Sequence, residues 1–325
     1  MFGLMMPSVK NSFSIIVLPA LGEYFDIGLK LQNWLARSNL TYNKPSKKIL
    51  NRILYYLDVH SDIGSIAALR YYGETKIKPK HWIASADPVF IQAHLDRMLV
   101  KPVNQNLIDK KDMVFAYNEI NNTLEKDYSV DLMTNGITGY IQSKYSIPTS
   151  NYSPSEILNL SINEVFPSED QSGVYGQLNN EIQMFIHGCA SIDNNLFNSL
   201  WLWGGGHLNS VEAKKLPILY SNDYTLKGYW YSSDSETKPF DINLEDLLSQ
   251  DLGSFVAVTP DDNDSQNSNT KKLKSFLTSI HQYHNKYKPE RLILIFRDGW
   301  TADISFYHKY RIWRKPNFMK KIGHY

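Results

Sequence analysis

The chain has 325 residues, 42% of them hydrophobic and 21% charged, the balance of an ordinary soluble globular protein large enough to bury a sizeable core. Its 34 basic and 33 acidic residues leave a net charge of +1, so no global field draws nucleic acid or anionic lipid. The single cysteine, Cys189, rules out an intrachain disulfide and suits a reducing cytosol, and no apolar run approaches the roughly 20 residues that span a bilayer.

In chain order, the apolar run Phe13 to Gly22 after Lys10 reads as a buried strand, Ser14 to Leu18, rather than a signal peptide, because its core is β-branched. Helical patterns follow at Ile27 to Ala36, Lys47 to Leu57 and Ile63 to Tyr72, the last with Asp62 as N-cap and Gly73 just past its end. Trp82 to Ala86 reads as a strand ended by Asp87-Pro88, and Met98 to Val100 as a second. A long helix over Gln105 to Glu125 and an alternating strand over Gly139 to Tyr145 come next. A polar-faced helix carries Asn180 to His187, and the apolar strand Leu200-Trp201-Leu202-Trp203 is expected to stop in a turn at Gly204 to Gly206.

Further on, Pro217 to Tyr220 and Ser254 to Thr259 read as strands, with a short helix at Leu244 to Ser249 and a polar loop at Asp261 to Asn269. A helix from Thr270 to Lys286 precedes a strand at Arg291 to Phe296. Asp298-Gly299 then turns into a strand at Thr301 to Tyr307, with Tyr310 to Arg314 as a final edge strand. Strands alternating with helices predict a layered α/β sheet flanked by helices, with antiparallel strands added near the C-terminus. One α/β domain over residues 1–325 is expected, with 98–160 as a candidate inserted sub-domain. The basic residues Arg311, Arg314, Lys315, Lys320 and Lys321 read as a solvated chain end.

No phosphate loop, dinucleotide fingerprint, zinc-protease helix or nucleophile elbow is present. His281 and His284 lie three apart on a Lys-rich helix and read as an exposed face rather than a metal pair. Cys189 reads as a small, half-buried thiol at a helix end rather than a nucleophile. Three groupings are candidates for a ligand. Asn180, Gln183 and His187 share one helical face, where they can bind a ligand or tie the helix to a loop. Gly204, Gly205 and Gly206 can present bare N–H groups to an anion or simply turn the chain. Asp87, with His94, Asp96 and Arg97 following, places ionisable groups near a sheet edge. A shared cleft would suit a small polar or anionic molecule.

Together, Ala86-Asp87-Pro88-Val89, Asp96-Arg97, Asn180-Glu181-Ile182-Gln183-Met184, Asn198-Ser199-Leu200-Trp201-Leu202-Trp203-Gly204-Gly205-Gly206, Asp298-Gly299 and Arg311-Ile312-Trp313-Arg314 resemble the RpfE-type regulatory protein family of proteobacteria. The Trp-rich stretch is also similar to an Asn-x-Ile-Trp-Leu-Trp-Gly-x-Gly stretch of archaeal-type, cofactor-independent phosphoglycerate mutases. That resemblance implies an alkaline-phosphatase or phosphomutase-like scaffold. The departures are as informative. The mutases carry a metal-holding aspartate after the first strand, where this chain reads Pro19-Ala20-Leu21-Gly22, and their Asp-x-x-x-His and Asp-His ligand pairs have no counterpart. His187-Gly188-Cys189-Ala190 stands where relatives read His-Pro-Val-Asn, and Phe90 where they carry His. The expectation is therefore a cytoplasmic, metal-free and cofactor-free pseudoenzyme with a regulatory, ligand-sensing or interaction role, its partners a small polar or anionic ligand or a protein. The alternative is a mutase-like isomerase or phosphatase with an atypical site built from Asp87, His94, His187 and the glycines.

Overall fold

The computed structural model describes residues 12–22, 27–43, 48–60, 62–93, 98–103, 109–136, 138–157, 162–167, 170, 173–189, 197–209, 214–241, 243–250, 253–260 and 266–316. In chain order the elements are β1 (Phe13–Leu18), α1 (Leu29–Arg37), β2 (Asn39–Tyr42), α2 (Ile49–Tyr56), α3 (Ile66–Thr75), β3 (Trp82–Ala93) and β4 (Met98–Pro102). They continue with α4 (Lys110–Tyr128), β5 (Val130–Thr134), β6 (Gly139–Ser143), α5 (Ile162–Val165), α6 (Val174–Gly188), β7 (Ser199–Gly206) and β8 (Ile218–Tyr220). The last are α7 (Tyr224–Ser232), β9 (Thr237–Lys238), α8 (Leu244–Ser249), β10 (Phe255–Val258), α9 (Gln266–Tyr287), β11 (Arg291–Phe296), β12 (Trp300–Ser305) and a 3-10 turn at Phe306–Tyr310. The chain divides into two compact units, one of residues 1–61, 212–223 and 230–325, the other of 62–211 and 224–229.

The first unit is a layered α/β body around a seven-stranded sheet of order β2-β12-β11-β1-β10-β8-β9. Strands β11, β1, β10, β8 and β9 run parallel, and β12 and β2 extend the sheet antiparallel. Parallel strands buried on both faces need apolar side chains on both, which is why Phe-Ser-Ile-Ile-Val-Leu and Arg-Leu-Ile-Leu-Ile-Phe read as runs rather than alternations. One face packs Ile16, Leu18, Leu294 and Phe296 against Leu31 and Leu35 of α1, Leu247 of α8, and Leu277 and Ile280 of α9.

The first unit corrects three sequence expectations. Tyr310 to Arg314 is not a strand, because β12 ends at Ser305 and the 3-10 turn follows. Two of the basic residues assigned to a solvated end are tied down, Arg311 to Asn39 Oδ1 at 2.6 Å and Arg314 to the Ser38 carbonyl at 2.6 Å. Lys320 and Lys321 lie outside the described residues. His284 is not on an exposed face: it is 7% exposed, packed beside Trp34.

The second unit centres on the twelve-residue strand β3. One edge of β3 pairs first with β6, from Trp82 to Ser85, and then with β4, from Val89 to Ala93; its other edge pairs with β7. This explains why Asp87-Pro88 does not end the strand. Residues 86–88 fall between the two ladders, where a proline's missing N–H forfeits no strand partner on that edge, and the Tyr117 hydroxyl donates to the Ala86 carbonyl instead. Trp82, Ala84, Ala86, Leu200 and Leu202 face α4 and α6, through Tyr117, Ile120, Leu178 and Ile182. The opposite face, with Ile83, Trp201 and Trp203, packs against Ala68 and Ile66 of α3.

Helix α3 begins later than its sequence suggests. Ser65, not Asp62, is its N-cap, accepting from the Ala68 N–H, and the helix runs through Gly73 to end at Lys76 in the left-handed region. Gly73 is needed inside the helix, since a Cβ there would stand 1.8 Å from the Tyr224 carbonyl oxygen. The approach is mutual, because a Cβ on Gly228 would stand 1.9 Å from the Leu69 carbonyl oxygen. Helix α7, whose Tyr-Thr-Leu-Lys-Gly-Tyr-Trp-Tyr-Ser carries no clear helical period, thus crosses α3 backbone to backbone over residues 224–229.

Two predictions follow from packing. Gly228→Ala should destabilise the protein by about 1–3 kcal/mol or more in chemical denaturation, the cost of overpacking, and an unchanged midpoint would contradict the close crossing. The second concerns His284. Burial, with the positive charges of His281 and His308 beside it, lowers its imidazole from 6.5 to about 4. A folded value below the unfolded one means the associated stability is complete above about pH 6.5 and is lost as pH falls toward 4, at about 1.4 kcal/mol per unit. His284→Leu should flatten the stability profile across that window; parallel profiles for the two proteins would count against it.

Candidate functional site

The sequence-derived candidates lie in the second unit, and the structure separates them. Asp87 is 4% exposed, on the β3 face covered by α3. Its carboxylate accepts two bonds from the Arg70 guanidinium, at 2.7 and 3.0 Å, and a third from the Trp203 indole N–H at 2.8 Å. Arg70 also lies over the rings of Tyr140 and Trp203, at 5.5 and 5.6 Å from their centroids. Burial works to lower the Arg70 pKa, but Asp87 outweighs it, and the guanidinium is held above its usual range. A fork-to-fork pair of this kind is a strong, directional contact. Beside it, Glu74 accepts from Tyr140 Oη at 2.5 Å, from Thr138 Oγ1 at 2.8 Å and from the Asn135 side-chain amide. Burial pushes the Tyr140 and Tyr117 phenols well above their usual range, so both stay neutral donors.

Helix α6 packs on the opposite face of β3 and β7, so Asn180, Gln183 and His187 do not meet Asp87. Asn180 and His187 are exposed. Gln183 reaches Ser199 Oγ at 3.5 Å, and Ser199 donates to the buried Asn179 at 3.1 Å. His94 and Arg97, with Asp96, lie outside the described residues.

Gly204, Gly205 and Gly206 are the end of β7 rather than a turn after it. The ladder to β3 is irregular there, and Gly204, at φ 65°, supplies a backbone conformation side chains avoid. The N–H groups of the first two are already committed, Gly204 to the Ser150 carbonyl at 2.8 Å and Gly205 to Thr149 Oγ1 at 3.0 Å. A Cβ on Gly205 would meet the Trp82 ring at 2.4 Å. The rest of the stretch is satisfied in the same way. Asn198 bonds both the N–H and the carbonyl of Ile91, at 2.7 and 2.9 Å, and the Trp201 indole donates to the Tyr152 carbonyl at 2.9 Å. The motif is an architectural node whose polar groups are spent inside the protein.

In the first unit, the carboxyl ends of the parallel strands are the place where α/β sheets bind ligands. There β1 is followed by Pro19-Ala20-Leu21-Gly22, β10 by Thr259 and β11 by Arg297-Asp298. Asp298 is half-buried and its Oδ2 accepts the Gly22 N–H at 2.9 Å. Burial raises its carboxyl above the usual range, while backbone N–H groups of Gly22, Leu21 and Trp300 pull it down. Arg52, 5% exposed on α2, donates to the Phe296 and Trp300 carbonyls and to Thr301 Oγ1 at 2.7, 2.7 and 2.8 Å, and burial lowers its pKa. Arg297 donates to the Thr259 carbonyl at 2.8 Å. Among the described residues this donor set holds one carboxylate, which does not fit a two-metal phosphotransfer centre. Among the described residues no group of three His, Cys, Asp or Glu side chains could hold a metal ion.

Arg70, Glu74 and Tyr140 escaped the sequence reading, as did Arg52 and the role of Asp298. The available signal was a lone cation in each of two apolar helices, Ile-Ala-Ala-Leu-Arg-Tyr-Tyr and Ile-Leu-Asn-Arg-Ile-Leu.

No protein-family model and no curated protein matches the chain in sequence. Solved structures do resemble it in fold. The PH0037 protein from Pyrococcus horikoshii shares 11% identity at a TM-score of 0.50, over 88% of this chain and 81% of that one. A cofactor-independent phosphoglycerate mutase from Thermoplasma acidophilum shares 11% identity at a TM-score of 0.44, over 91% of this chain and 90% of that one. No helix among the described residues is long and apolar enough to cross a membrane.

Removing one member of a buried pair leaves the other charge uncompensated. Arg70→Met and Asp87→Leu should each cost about 3–5 kcal/mol, and the double variant much less than the sum. Additive losses in a double-mutant cycle would show that the pair does not interact as described.

Proposed function

We infer that the chain is a non-catalytic binding protein on a phosphomutase-like scaffold, serving a regulatory role of the kind its RpfE-like sequence features suggest. The observation that carries this is the chemistry at the carboxyl ends of β1, β10 and β11. Phosphoryl transfer needs a positioned nucleophile and concentrated positive charge facing the transferred group. Here Asp298 accepts a backbone N–H, Arg52 is engaged by main-chain oxygens, and the described residues after β1, Pro19 to Gly22, include no acid. Asp87, the other acid singled out, is sealed by Arg70. The single cysteine accords with work in a reducing cytoplasm.

The test is direct. Purified protein, assayed with phosphoglycerates and with an aryl phosphate in added Mn2+ or Zn2+, should turn over neither faster than an Asp298→Asn variant does. Metal-dependent turnover that vanishes in that variant would instead establish an atypical mutase or phosphatase.

A further inference from the structure

A cavity of about 540 Å³ opens within the first unit, walled by α1, the C-terminal half of α9, and the 3-10 turn with the end of β12. It lies at the amino end of β11, where Ser305 pairs with Arg291, and so a strand's length, on the order of 20 Å, from Arg297 and Asp298 at the other end. It is therefore separate from the strand-end site, and its role does not depend on whether that site reacts.

Its charge is one-sided. Lys30, Arg37, Lys288 and Lys309 line it, and no Asp or Glu does. In a chain of net charge +1 this is a local concentration, and among the described residues none of the four cations has a carboxylate partner. Lys309 Nζ instead rests 3.5 Å from the centroid of Phe306, over its ring.

The second observation is independent of charge. His284, 93% buried by its 7% exposure, lines the cavity with neither ring nitrogen hydrogen-bonded. The indole N–H of Trp34 and the Nε–H of Arg37, also in the wall, are buried without an acceptor. Two of these groups can only donate, and the imidazole donates from at least one nitrogen. Buried donors are normally satisfied, yet these three groups lack an acceptor, and they lack it where the side-chain charge is positive, although another Arg37 nitrogen donates to the Lys309 carbonyl at 3.3 Å. An oxyanion supplies several acceptor oxygens and negative charge together. A transition metal does not fit, since it would meet four cations and no acid. The volume exceeds what a bare phosphate needs and falls in the range of small-molecule sites, and Trp34 and Phe306 offer aromatic surface beside the cations.

We propose that this cavity binds a small organic phosphate, a phosphate monoester with a ring-bearing body, its phosphate oxygens accepting from the Arg37 guanidinium, Lys30 and Lys288, with the unsatisfied donors of Trp34 and His284 in the wall behind them. The protein carries no reaction at this site; it holds the ligand.

The test titrates the full-length chain with adenosine monophosphate, inorganic phosphate and zinc chloride, reading heat and tryptophan fluorescence. The variants are Arg37→Gln, paired Lys30→Ala with Lys288→Ala, and His284→Phe, with Lys78→Ala in the other unit as control and circular dichroism as the check on folding. The rim pair lies on the surface and keeps the test valid should His284→Phe fail to fold. Adenosine monophosphate should bind more tightly than inorganic phosphate, and Kd should rise about tenfold or more in Arg37→Gln and in the rim pair, as when charge-assisted hydrogen bonds are removed. The control should bind as the parent does. Any of four results would overturn the proposal: no response to adenosine monophosphate, equal affinity for inorganic phosphate, unchanged affinity in the rim pair, or zinc binding that displaces the nucleotide.

Discussion

The ion pair between Arg70 and Asp87 is the constraint on which the second unit is organised. A carboxylate in the middle of a central strand, with β7 on one side and a helix over its face, must be answered by a cation or be neutralised. Arg70 answers it, and to do so α3 has to lie in one register over β3. That register places Ser65 against the Gly204 carbonyl at 2.7 Å and brings Gly73 to the carbonyl of Tyr224. Trp203 completes the shell by donating to the same carboxylate, which fixes the face on which both tryptophans of β7 must point. Of the glycines that follow, Gly205 and Gly206 are then required by crowding against Trp82 and Ser65, and Gly204 by its backbone angle.

The first unit works by a different rule. Its parallel sheet is apolar on both faces, so polar chemistry is confined to the two ends of the strands. At the carboxyl ends, among the described residues, the Arg52 and Arg297 guanidinium groups donate to carbonyl oxygens and Asp298 Oδ2 accepts the Gly22 N–H, while Asp298 Oδ1 and Arg52 Nε are buried without a partner. At the amino end of β11, buried donors of Trp34, Arg37 and His284 also lack an acceptor, and the four cations around them have no carboxylate partner among the described residues. The cavity proposed to bind a ligand lies at the opposite end of the sheet from the one where this architecture usually places ligands.

Much of the architecture was legible in the sequence. Runs such as Ile15-Ile16-Val17-Leu18 and Arg291-Leu292-Ile293-Leu294-Ile295-Phe296 announce parallel strands, and the helix and strand on either side of Cys189 stand where their patterns place them. What stayed hidden depends on contacts distant in sequence. Pro88 reads as a strand ending, and only the hand-over from β6 to β4 makes it tolerable in mid-strand. Gly73 reads as a helix stop, and only the crossing with Gly228 explains it inside the helix. The candidate site failed for a related reason. Asp87 and the Trp-Gly stretch are chemically conspicuous, but a side chain that can bind a ligand can equally bind its own protein, and the partner, Arg70, sits in an ordinary amphipathic helix. His284 misled in the other direction, since a Lys-rich helix conceals one buried imidazole among exposed neighbours.

Hydrogen exchange of the native protein tests most directly whether the Arg70–Asp87 pair organises the second unit. Compared in the parent and in Arg70→Met, the amides of β3 and β7 should be among the slowest in the parent and lose most of their protection together in the variant, while β1 and β11 keep theirs. Protection of β3 and β7 that survives the substitution unchanged would show that the pair is an ornament of the sheet and not its organising contact.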